Sequence, residues 1–93
     1  MARPTTRAFS LHDSPARPAP YDRNRDLAPL LPLWPRELAD LTRAGRRHVI
    51  ARLERAIRDE RRRGLMGHWS YDLVRHAALA KALKGERQAL AVL

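Results

Sequence analysis

The chain contains no cysteine, so neither a disulfide nor a thiolate metal site can staple it. It has no proline after Pro35, so nothing of that kind interrupts a helix between Arg36 and Leu93. Acids are scarce, 10 Asp plus Glu against 19 Lys plus Arg. Aromatic residues make up only 5% of the chain, which leaves few rings to stack on bases. The longest apolar stretch, residues 27–34 (Leu-Ala-Pro-Leu-Leu-Pro-Leu-Trp), is short and broken by proline, so no transmembrane helix is expected. No run alternates with period two, which argues against strands.

What is present divides the sequence in two. All seven prolines lie at or before Pro35, and all four glycines lie after it, near where helices should begin or end. Residues 1–26 hold few large apolar side chains and cannot repay the entropy of ordering, so a disordered arm is expected there. Residues 27–35 form an extended apolar segment that lies across a helix surface or docks a partner. The fold expected for 36–93 is all-α: a short helix over 36–41, a long one over 43–63 and a third over 71–84. An extension over 86–92 would follow Gly85.

The boundaries have physical causes. Pro35 suits a first helical position, Thr42 a cap, and Gly64 a left-handed residue after the basic run Arg61-Arg62-Arg63. Ser70 suits a cap for the third helix, with Asp72 in its first turn. Val49, Ile50, Leu53, Ala56 and Ile57 share one face of the long helix. The third helix carries two apolar stripes: Leu73, Val74 and Ala77 on one side, Leu79 and Leu83 on another. Two stripes need two neighbours.

Charge is unevenly placed. Net charge is +9, with 17 arginines and two lysines. Between residues 43 and 63 nine arginines face three acids. A GC-rich genome, which inflates Arg, Ala and Pro together, is the plain account of this excess, and a salt-bridged solvent face, with pairs such as Glu54–Arg58, is the plain alternative for the helix. The row Arg46, Arg47, Arg55, Arg58 and Arg62 is nevertheless the candidate phosphate-binding surface, because a planar guanidinium donates bidentate bonds to phosphate. Trp69 and Tyr71 are expected to pack the interhelical corner.

Residues 36–42 (Arg-Glu-Leu-Ala-Asp-Leu-Thr), followed directly by Arg43-Ala-Gly-Arg-Arg-His-Val-Ile-Ala-Arg-Leu53, resemble the helix-turn-helix of bacterial transcriptional regulators. The resemblance covers 36–57. It implies that Ala39, Val49 and Leu53 pack together and that Arg46, Arg47, His48 and Ala51 read the major groove. Residues 64–86 are similar to small helical proteins of alphaproteobacteria with no assigned activity, which supports a helical hairpin and implies no chemistry.

No Ser/His/Asp set, phosphate-cradling glycine loop or paired carboxylates can be found, so no enzyme, cofactor or small-molecule substrate is expected. His68, Asp72 and His76 are spaced four apart, but His68 precedes the expected cap, so no metal site is expected either. The sequence reads as a small basic cytoplasmic protein that binds and does not catalyse. Its first reading is a nucleic-acid-associated regulator. The alternative is a protein-interaction adaptor, or a homodimer, that docks through Leu79 and Leu83.

Overall fold

A computed structural model of the chain describes residues 19–69 and 71–93. The disorder expected of residues 1–18 and the capping role expected of Ser70 lie outside the described residues. The elements run in the order π-turn (Arg23–Leu27), α1 (Pro35–Ala39), α2 (Arg43–Leu65) and α3 (Leu73–Ala91). Among the described residues there is no strand, and the two long helices form an antiparallel hairpin. The fold is all-α.

Thr42 starts α2 as expected. Its backbone is extended and its Oγ1 accepts from the Gly45 N–H at 3.1 Å. Val49, Leu53, Ile57 and Glu60 then recur on one stripe and are buried. The helix ends later than expected: Gly64 is still helical, and the left-handed residue is Gly67, at φ 61°. At the start of α3 the cap is Asp72 itself, whose Oδ1 accepts from the Arg75 N–H at 3.1 Å.

Gly85 does not stop α3. The helix runs through it because the glycine serves a close approach, not a terminus. A Cβ at Gly85 would lie 2.3 Å from Cδ2 of Tyr21, so the aromatic ring rests on bare helix backbone. That contact brings the N-terminal segment onto α3.

Order therefore begins well before Leu27. Residues 19–26, expected to be disordered, include the π-turn and its buried Arg23. The apolar segment beyond it covers one side of the hairpin. Leu27 (0% exposed) and Leu31 (7%) join Val49, Leu53, Ile57, Leu79 and Ala82 in the core. Burying each leucine contributes about 1.5–3 kcal/mol. Residues 27–33 thus lie across the helix surface, the first of the two placements expected for the 27–35 segment, with Leu27 and Leu31 consumed internally. Trp34, at the end of the segment, stays 68% exposed.

The two stripes of α3 are also reassigned. Leu79 is fully buried against α2, and Leu83 is half-buried beside it, whereas Leu73 and Val74 remain exposed. The second neighbour of α3 is the N-terminal segment.

Candidate nucleic-acid interface

The arginines of α2 fall into two groups, separated by where the acids of the fold lie. Glu86 of α3 is wholly buried and collects four hydrogen bonds. Tyr21 Oη donates at 2.6 Å, Arg23 Nε at 3.0 Å and Nη2 at 2.7 Å, and Arg46 Nη1 at 3.2 Å. Burial alone would raise the Glu86 carboxyl, but the bonds from Arg23 and Tyr21 outweigh it and hold the group below its usual range. The same burial, with Glu86 as neighbour, pushes the Tyr21 phenol up.

Arg23 is shared between two jobs. Its Nη1 donates to the carbonyls of Glu37 (3.2 Å), Leu38 (3.1 Å) and Asp40 (2.7 Å). Carbonyls at a helix end lack intrahelical donors, and α1 is too short to supply them, so the guanidinium closes it.

Glu60 plays a matching role near the hairpin connection. It is 1% exposed and accepts from Arg63 Nη2 at 2.6 Å and from the Asp72 N–H at 3.1 Å, with Arg75 Nε 3.6 Å away. The Arg63 bond is the main cause of its lowered carboxyl pKa, against an opposing burial effect. Glu37 accepts from the Trp34 N–H at 2.7 Å and meets His48 Nε2 at 2.7 Å, and both contacts lower its carboxyl. Glu54 takes Arg87 at 2.7 Å, not the Arg58 expected from helical spacing.

Asp59 stands exposed at the edge of the outer side of α2, whereas Glu86, Glu60, Glu37 and Glu54 are spent on Arg23, Arg46, Arg63, Arg75, Arg87 and His48. What they leave uncompensated is the opposite side of α2. Arg47, Arg55, Arg58 and Arg62 are all exposed, and none makes a side-chain hydrogen bond or ion pair among the described residues. At 100° per residue they fall within one quadrant, with Ala51 between them and the core stripe of Val49, Leu53 and Ile57 behind. The row is about 22 Å long at 1.5 Å per residue. Arg61 stands exposed at its edge.

Four of the five arginines named from the sequence therefore stand together. Arg46 does not belong with them: its side chain is 15% exposed and committed to Glu86. Its period places it beside Leu53, on the inner edge of α2, and only the position of Glu86 made that edge polar. Leu79, named as a docking residue, is core. Of the residues implied by the helix-turn-helix resemblance, Val49 and Leu53 are buried, whereas Ala39 is exposed and Leu38 packs in its place. Arg47 and Ala51 face solvent, but Arg46 and His48 are engaged by Glu86 and Glu37.

The aromatic corner is split. The Tyr71 ring packs against Gly64, where an added Cβ would meet it at 2.9 Å. Trp69 is 90% exposed and stacks on His68, with ring centroids 5.6 Å apart. His76 meets Tyr71 Oη at 3.2 Å, and the described residues contain no cluster suited to hold a metal ion. No helix among them is long and apolar enough to cross a membrane. No protein-family model, no curated protein and no solved structure matches the chain.

Proposed function

We propose that the protein is a non-enzymatic nucleic-acid-binding regulator that holds phosphates through Arg47, Arg55, Arg58 and Arg62, with Arg61 at the margin. The observation that carries this reading is the segregation of charge. The buried carboxylates Glu60 and Glu86 hold arginines of the hairpin's inner side, Glu54 takes Arg87, and the row on the outer side of α2 makes no ion pair among the described residues. Displacing condensed counterions from a polyanion favours binding to such a row without any base contact. The low aromatic content of the chain, 5%, fits backbone recognition better than base stacking.

The test is titration of a labelled duplex at several salt concentrations. Four phosphate contacts give a slope of about −3.6 in log K against log salt. Arg55→Glu with Arg58→Glu should abolish binding while the far-ultraviolet circular dichroism stays helical. Absence of binding at low salt, or full binding by the folded double variant, rejects the reading.

A further inference from the structure

The hairpin has two sides, and the N-terminal segment covers only one. On the other, α2 and α3 leave an open groove of about 360 Å³ running between them. Its floor is apolar: Ile57 from α2, and Ala80 and Leu83 from α3. Its rim is basic, formed by Arg61, Lys84 and Arg87, with His76 half-buried between the helices. Among the described residues only Arg87 of that rim meets an acid, the exposed Glu54 at 2.7 Å.

A groove between two antiparallel helices accepts a third helix, whose side-chain ridge fills it and completes a three-helix bundle. The rim decides which helix. A second copy of this chain would bring its own Arg61, Lys84 and Arg87 against the first set, and like charges facing each other across an interface cost binding. We infer that this groove docks an acidic amphipathic helix of another protein, with its apolar ridge on Ile57, Ala80 and Leu83 and its carboxylates on the basic rim. The surface adjoins the outer row of α2, sharing with it only the marginal Arg61, and does not depend on nucleic-acid binding.

The probe is a synthetic helical peptide with leucines at i, i+3, i+4 and i+7 and glutamates on both flanks. A scrambled peptide of the same composition serves as control. Fluorescence anisotropy measures affinity for the full chain, and backbone amide shifts map the contact. The ordered peptide should bind at least tenfold more tightly than the scrambled one and shift the amides of Ile57, Ala80 and Leu83. Ala80→Arg fills the exposed floor while adding positive charge, so docking predicts at least tenfold weaker binding. Lys84→Glu should weaken it as well, and Arg55→Glu with Arg58→Glu should not.

Several results overturn the assignment. One is equal binding of both peptides, or failure of the ordered peptide to bind. Another is Ala80→Arg binding as tightly as the parent or more tightly, which marks simple charge attraction. Groove amides that shift with duplex DNA in place of the peptide would assign the groove to the polyanion surface. A concentration-dependent dimer that Ala80→Arg dissociates would assign it to a second copy.

Discussion

The two ends of the hairpin use the same device and finish differently. At the end where α3 terminates, Glu86 gathers Tyr21, Arg23 and Arg46, and the N-terminal segment seals the site until the carboxylate has no contact with water. At the connection, Glu60 gathers Arg63, Arg75 and the backbone of Asp72. Among the described residues that end meets the N-terminal segment only through the Leu30 carbonyl, which accepts from Arg75 Nη1 at 3.2 Å, and Leu65 (86% exposed), Trp69 (90%) and Val74 (79%) stay in water. A buried acid fixes geometry at either end. At the first it binds side chains of the N-terminal segment directly, whereas at the second it holds Arg75, whose guanidinium also meets that segment's backbone at Leu30.

That contrast can be broken most forcefully at Glu86. Glu86→Ala strands two guanidinium groups against a wall of carbonyls and leucines. Losing one partner of a buried pair costs about 3–5 kcal/mol, a large part of the 5–15 kcal/mol typical of a domain. Urea denaturation should show it, and proteolysis should show early release of residues 19–33. The loss has a pH counterpart. Because the folded Glu86 pKa is lowered, the unfolded chain binds more protons as pH falls. The contribution of Glu86 is therefore complete above the ordinary glutamate value of about 4.3 and is lost as pH drops through its lower folded value. Melting temperature measured from pH 6 downward should decline in that acidic window for the parent and less for Glu86→Ala.

Gly85→Ala probes the sealed end at intermediate cost. Alanine improves helix propensity, yet its Cβ would sit 2.3–2.8 Å from Cδ2, Cγ and Cβ of Tyr21. Overpacking of this kind costs about 1–3 kcal/mol against a gain of about 1 kcal/mol from replacing helical glycine, a net loss of up to about 2 kcal/mol. A net stabilisation in the same denaturation assay would show that the Tyr21 contact is slack.

The smallest effect belongs at the other end. Leu65→Ser and Trp69→Ser remove side chains that water already reaches, so unfolding free energy should change by no more than about 0.5 kcal/mol each. A larger loss would show that the connection is covered in solution.

Much of this architecture was legible from residue order. The prolines confine helix to the second part, Thr42 marks a start, and the spacing of Val49, Leu53 and Ile57 defines a buried face. The outward positions of Arg47, Arg55, Arg58 and Arg62 follow from that face, because residues opposite a core stripe have nowhere to go but solvent. Other assignments needed contacts that no local pattern encodes. Gly85 looked like a stop because glycine weakens a helix, and only the Tyr21 ring lying on it reverses the meaning. Leu79 and Val74 are equally apolar, and sequence could not say which stripe of α3 had a neighbour.

Side-chain period and composition are enough to set the helices, their apolar faces and the excess of positive charge. Tertiary structure alone decided which cations are spent inside and which remain for a partner. Arg23 and Glu86 lie 63 positions apart, and a pairing at that separation exists only once the chain has closed. Arg46 and Arg47 are neighbours in sequence, yet one faces a buried carboxylate and the other faces solvent. Glu86, brought up by α3, made that difference.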